Sequence, residues 1–162
     1  MGELKLNTDG CSRGNPGRAG GGGVLRDGEG KLLFTFSTFT GSCSSIQAEA
    51  RALLFGVQLC IARGHVRVHV EVDSLVLIHI VQQIVQCPWS FDMEVRSLLQ
   101  LLPHVVSITH CFREANQVAD ILSNVGCDEG YDRTYHHLSE LPTHARGAFR
   151  LDRLGLPSLR KC

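Results

Sequence analysis

Seven residues near the middle of this chain, Val66-Arg67-Val68-His69-Val70-Glu71-Val72, alternate strictly between valine and a polar side chain. A period of two belongs to an extended strand whose two faces meet different neighbours. Asp73 follows at once, then Ser74, whose hydroxyl suits the N-cap of a helix expected over Leu75 to Gln86 and closed by Pro88. A strand that feeds directly into a helix points to an α/β sheet. In open sheets of that class, ligands bind at the carboxyl ends of the strands. Asp73 stands at that edge.

The N-terminal third supplies strands of its own. Leu4, Leu6 and Thr8 alternate with Lys5, Asn7 and Asp9, and this strand is expected to end at Asp9-Gly10, before a loop carrying Gly14-Asn15-Pro16-Gly17. Gly20 to Arg26 and Lys31 to Phe39, separated by the turn Asp27-Gly28-Glu29-Gly30, complete a three-strand meander. The run of four glycines, 20–23, makes room either for a packed helix or for a ligand, and packing is the commoner reason. Ser44 and Gln47 form a capping box ahead of a helix whose apolar stripe is Ala50, Leu53, Leu54, Val57 and Ile61, with Gly64 as its stop. A short helix is expected over 92–102 before Pro103, then a strand from Val105 to Phe112. A last helix follows from Ala115 to Val125, stopped by Gly126.

The order β-β-β-α-β-α-α-β-α predicts one mixed five-stranded sheet, a meander followed by two parallel strands, flanked by helices. Residues 1–126 are expected to form this domain. Residues 127–162 read as a loosely structured tail, basic at its end, with a loop or short helix over Tyr131 to Leu138.

A length of 162 residues suits one domain, able to bury roughly 70% of its unfolded surface. No apolar run approaches the ~20 residues of a membrane span. The N-terminus has neither a basic leader nor an apolar core, so no signal peptide is expected and a nuclear or cytosolic setting is the default. Seven cysteines, an odd number without a Cys-x-x-Cys pair, predict buried reduced thiols rather than disulfides or a zinc site. The net charge of zero is unevenly spread: residues 1–142 hold 11 basic against 15 acidic side chains, and residues 143–162 hold five against one. An acidic body is unlike a simple phosphate-coating protein, and suits one whose excess charge is offset by bound divalent metal.

The carboxylates carry the chemistry. Asp9, Glu49, Asp73 and Asp120 come from strand 1, helix 1, the end of strand 4 and the last helix. Right-handed crossovers within one sheet place strand 4 beside strand 1. Four converging carboxylates repel one another unless cations fill the space between them. Oxygen ligands without His or Cys favour Mg²⁺ or Mn²⁺ over Zn²⁺. Two such ions ~3.5–4 Å apart can clamp a scissile phosphate.

The motifs Asn7-Thr8-Asp9-Gly10 with Gly14-Asn15-Pro16-Gly17, Gln47-Ala48-Glu49-Ala50, Val70-Glu71-Val72-Asp73-Ser74 and His110-x-x-Arg113-Glu114-Ala115-Asn116-x-x-Ala119-Asp120 occur in this order over residues 3–126. Together they resemble the type 1 ribonuclease H domain, most closely the plant variety found alone or at the end of retroelement polyproteins. The resemblance implies a ribonuclease H-like fold. It also implies two-Mg²⁺ cleavage of the RNA strand of an RNA–DNA hybrid, leaving 3′-hydroxyl and 5′-phosphate ends, with Mn²⁺ as a substitute. It makes Asp9, Glu49, Asp73 and Asp120 the metal-binding carboxylates and His110 a mobile catalytic histidine that assists proton transfer or product release. Gly10 and Asn15 then read the RNA strand, whose 2′-hydroxyls distinguish it from DNA, and Asn116 touches substrate. The implied partners are the hybrid and a tethered reverse transcriptase or other nucleic-acid-binding domain. No membrane partner is expected, and the chain is expected to be a monomer.

Three departures set up an alternative. Leu75 follows Asp73-Ser74 where many family members carry a polar residue, and Ser45-Ile46 replaces the amides often found ahead of the helix glutamate. The segment Gln86 to Gln100 has Arg96 as its only base, against Asp92 and Glu94, so the basic protrusion of some relatives is missing. Weak hybrid affinity is expected unless a tethered domain or the basic tail supplies phosphate contacts. The alternative to an active enzyme is a remnant that binds nucleic acid without cutting it. An exonuclease or integrase relative is disfavoured by the His110-to-Asp120 motif.

Overall fold

The structure, a computed structural model, describes residues 3–83 and 85–153. Its elements are β1 (Leu4–Gly14), β2 (Gly17–Arg26), β3 (Leu32–Cys43), α1 (Ser45–Ala62), β4 (Val68–Val72), α2 (Leu75–Val81) and α3 (Asp92–Leu101). They are followed by β5 (Val105–His110), α4 (Gln117–Glu129), β6 (Arg133–Tyr135) and α5 (Thr143–Arg153). The strands form one sheet in the order β5-β4-β1-β2-β3-β6. The meander β1-β2-β3 is antiparallel, while β4 lies parallel to β1 and β5 parallel to β4. The register sets Leu6 opposite Val70 and Thr8 opposite Val72. Asp9 and Asp73, the next residue on each strand, therefore emerge side by side.

Both faces of the sheet are covered. Leu6, Leu25, Phe34, Phe36, Val68, Val70 and Val72 pack under α1, α2 and α3, through Leu53, Val57, Leu77, Ile78, Val95 and Leu98. Val24 faces the other way and meets Val118 and Leu122 of α4 and Ala145 and Phe149 of α5. Gly20 and Gly22 let α4 lie directly on β2: an added methyl at either would run into the helix backbone at Ser123, with Cys127 also in the way at Gly20 and Ala119 at Gly22. The run of glycines is packing relief, as expected.

The sheet has six strands where five were expected, and β1 does not stop at Asp9. It continues to Gly14, paired with β2 as far as Gly14–Gly17, so Asp9 lies in mid-strand. The strand β4 begins at Val68 because Arg67 takes a left-handed backbone (φ 60°). Helix α2 ends at Val81, short of Gln86, with Gln83 again left-handed (φ 62°). Helix α4 runs from Gln117 to Glu129 rather than 115–125. Gly126 is no stop but the point where the helix presses on the backbone of Thr38, and Gly130 (φ 77°) ends it.

The expected loose tail is corrected for residues 127–153. β6 pairs with β3, and the Asp132 carboxylate accepts from the Thr38 hydroxyl (2.6 Å) and the Phe39 amide (3.0 Å). Leu141, Ala145 and Phe149 are buried at four-residue spacing, and Asp152 pairs with Arg26, whose guanidinium lies over the Phe149 ring. Residues 154–162, with Arg160 and Lys161, lie outside the described residues. Among the described residues six cysteines are free thiols, of which Cys43, Cys60 and Cys127 are buried, as expected, while Cys11, Cys87 and Cys111 are only partly so; no helix is long and apolar enough to cross a membrane.

Candidate active site

Three elements deliver the acids around the Asp9–Asp73 pair. Helix α1 is started by the predicted capping box, with Ser44 Oγ accepting from the Gln47 amide (3.2 Å). The helix crosses β1 so closely that a methyl on Gly10 would overlap the Ala48–Glu49 backbone. That approach carries Glu49 to the sheet edge. Ser74 caps α2 by accepting from the Leu77 amide (3.2 Å), and fixes the turn after Asp73. Asp120 is the fourth residue of α4, whose entry is held by a buried amide pair. Asn116 donates to the carbonyl of Thr8 (2.9 Å) and accepts from Asn7 (3.2 Å), and its own carbonyl accepts from the Asp120 amide (3.1 Å). Asn7 also donates to Glu71, which pairs with Lys5.

Carboxylate oxygens of Asp9, Glu49 and Asp73 all lie within 4.8 Å of one another. They line, with Asp120, Gly10, Cys11, Ser12, Ser45 and Arg113, an open cleft of about 400 Å³. Asp9 is only 7% exposed. Burial, then the charges of Asp73, Asp120 and Glu49 and a hydrogen bond with Asp120, push its carboxyl up to about 9. Burial raises Glu49 to about 7, against the lowering effect of a hydrogen bond with Ser74 and the charge of Arg113. Burial and mutual repulsion oppose the charging of these carboxyls, a cost that a bound cation would offset. The donor set is oxygen alone, which fits a hard divalent ion.

The structure thus brings all four sequence-predicted acids to one cleft. His110 stands outside the cleft lining, at the last position of β5 and opposite Val72 in register. It is solvent-exposed, with its ring edge-on to Phe112 (centroids 5.6 Å apart). Asn15, at the tip of the β1–β2 hairpin, accepts from the Ser45 amide (3.1 Å) and ties the hairpin to α1. Asn116 departs from its expected place against substrate: at 2% exposure it points inward and joins β1 to α4. Arg113 had no assigned role, although it was the one base in an acid-bearing motif. It lines the same cleft as Glu49, 64 residues earlier in the sequence, and its charge lowers the Glu49 carboxyl against the effect of burial.

A family model described as reverse transcriptase-like matches residues 7–126. The chain belongs to this family. It is a type 1 ribonuclease H domain, by that match and by its structural neighbours. The ribonuclease H1 of the archaeon Halobacterium salinarum superposes with a TM-score of 0.73 at 26% identity, covering 79% of this chain and 99% of that one. The LC11 ribonuclease H1, solved in complex with an RNA/DNA hybrid, gives the same TM-score, identity and coverage. A protein of Arabidopsis thaliana provisionally named a ribonuclease H protein is 36% identical over 157 residues. That match covers 96% of this ribonuclease H domain and 25% of the relative, so the chain spans about a quarter of the Arabidopsis protein's length.

Proposed function

We propose that this domain is an endonuclease that hydrolyses the RNA strand of RNA–DNA hybrids with the help of divalent metal, Mg²⁺ by preference and Mn²⁺ as a substitute. The observation that carries the reading is the meeting of Asp9, Glu49 and Asp73 within 4.8 Å, with Asp120 in the same cleft. The complex of the LC11 relative with an RNA/DNA hybrid supports the choice of substrate.

Asp9, Glu49, Asp73 and Asp120 would hold the metal. Bound there, divalent metal would supply an activated water and charge stabilisation for the leaving oxygen of a phosphodiester. The chain's own part is placement. The β1–β4 register fixes Asp9 and Asp73, the close crossing at Gly10 fixes Glu49, and the Asn7–Asn116 pair fixes the start of α4 and so Asp120. His110, free to swing at the end of an edge strand, takes or returns a proton at the rim. Gly10 and Asn15 lie along the path of the RNA strand. The domain acts as a monomer and draws much of its hybrid affinity from a tethered domain, a reverse transcriptase being the natural one.

A second reading, a remnant that binds without cutting, is favoured by Leu75 and Val76, 51% and 58% exposed beside Asp73 where polar contacts would help. Incubating the protein and Mg²⁺ with a hybrid, duplex DNA and duplex RNA separates the two. Internal cuts in the hybrid's RNA strand alone are expected. A hybrid bound but uncut after long incubation would favour the remnant.

A further inference from the structure

A fifth carboxylate lies behind the cleft and is not part of its lining. Glu71 stands on β4 beside Asn7 of β1, two residues before Asp73. Its side chain is 23% exposed, and its two oxygens have different partners. Oε1 is paired with the Lys5 ammonium (3.0 Å), and Oε2 accepts from Asn7 Nδ2 (3.2 Å). The same Asn7 nitrogen donates to Asn116 Oδ1 (3.2 Å), and Asn116 Nδ2 donates to the Thr8 carbonyl (2.9 Å). The Asn116 carbonyl in turn accepts from the Asp120 amide (3.1 Å). A continuous chain of polar contacts thus runs from an ion pair near the surface to the backbone of Asp120.

The position of Glu71 calls for a carboxylate in particular. It stands between two donors, the Lys5 ammonium and the Asn7 amide, and only a carboxylate offers an acceptor oxygen to each. A glutamine there has one oxygen, so its NH₂ group would face whichever donor the oxygen leaves out. A bond from an amide to a charged acceptor is also stronger than one between neutral groups. Asn7 and Asn116 are 3% and 2% exposed, so an N–H released by Glu71 finds no water in its place.

We propose that Glu71 is a positioning residue. By accepting from Asn7 while paired with Lys5, it holds the Asn7–Asn116 amide pair, and through that pair the first turn of α4 and the Asp120 carboxylate. Its consequence for metal rests on the proposed function of the cleft. The bland alternative is that Glu71 forms a surface ion pair and adds one more negative charge near the cleft. The two differ over Asn7→Ala, which changes no charge.

The test combines amide hydrogen exchange, read by NMR on the metal-free protein in EDTA, with calorimetry of Mn²⁺ binding. Glu71→Gln should speed exchange at the Asp120 amide about fivefold, the factor that one net hydrogen bond represents, and leave the amides of α1 unchanged. It should weaken Mn²⁺ binding about tenfold. Asn7→Ala should do both, and the double variant should be no worse than the worse single one, because both act through one chain. An Asp120 amide that exchanges at the wild-type rate in Glu71→Gln would overturn the proposal. Equal speeding in α1 and α4, the sign of a general loosening, would do the same. So would weaker Mn²⁺ binding in Glu71→Gln beside wild-type binding in Asn7→Ala, which would leave only the charge of Glu71 at work. Glu71→Gln is nearly isosteric at a partly exposed position, so its exchange pattern decides even where Asn7→Ala does not fold. Failure of the metal reading would appear separately, as wild-type protein that takes up no Mn²⁺, and exchange at Asp120 would still show whether Glu71 holds it.

Discussion

Burial, with the neighbouring carboxylates, pushes Asp9 up to about 9 and Glu49 up to about 7, from ordinary values of 3.8 and 4.5. Both are raised, so between those limits the folded chain holds protons that the unfolded chain has lost. Their contribution to stability is complete below about pH 4 and is lost as pH rises through about 7 and then about 9. The thermal midpoint of the protein in EDTA is therefore expected to fall from pH 5 to pH 9. Millimolar Mg²⁺ should raise it more at pH 8 than at pH 5, because only the ionised cluster binds the ion. A midpoint in EDTA that stays level over this range would contradict the assignment. At this scale the acids were legible in the sequence because Asp73 follows a clear strand, Glu49 and Asp120 lie on helices beside apolar stripes, and Asp9 closes the alternating run of β1, which the structure carries on to Gly14. Asn116 was less so. Its motif marks it as special, but nothing in the sequence says that its amide turns inward to Thr8 rather than outward to substrate.

Elements hold those residues by close packing, which makes glycine substitutions sharp tests. Gly22→Ala places a methyl in the backbone of α4 at Ser123, so the helix that carries Asp120 must shift. A loss of about 1–3 kcal/mol is expected from the urea midpoint, with weaker divalent-ion binding by calorimetry. Gly147→Ala is the counterpart. Its methyl meets nothing within 4 Å inside α5, and a gain of about 0.5–1 kcal/mol is expected. Phe149→Ala should cost about 3–5 kcal/mol in the same measurement. A near-zero cost would mean that α5 is not part of the folded unit. The sequence concealed α5 because its buried stripe is only Leu141, Ala145 and Phe149, interrupted by Pro142 and Gly147 and surrounded by charge. It concealed β6 because three residues are too few to show a period, and the strand is fixed by Asp132 reaching Thr38 and Phe39 on β3. The meander, the capping box of α1 and the parallel β4 and β5 were legible because their signals are local or follow from the handedness of crossovers.

For the whole molecule, the arrangement is a sheet with its acids gathered where β4 ends beside the middle of β1, and with little positive charge around them. Residues 1–142 are net acidic, and in the stretch Asp92 to Arg96 the one base is paired with Asp92. On the proposed reading, such a surface offers a phosphate backbone few cations outside the cleft. On that reading the four-acid cleft is the place where an RNA strand is cut. Single-turnover cleavage of an end-labelled RNA–DNA hybrid in Mg²⁺ by wild type and by Asp9→Asn tests this directly. Internal cuts in the RNA strand are expected from wild type and a loss of about a thousandfold or more in the variant, with its thermal midpoint at pH 8 held or raised. Equal cutting by both proteins, or a hybrid that survives wild type intact, would contradict it.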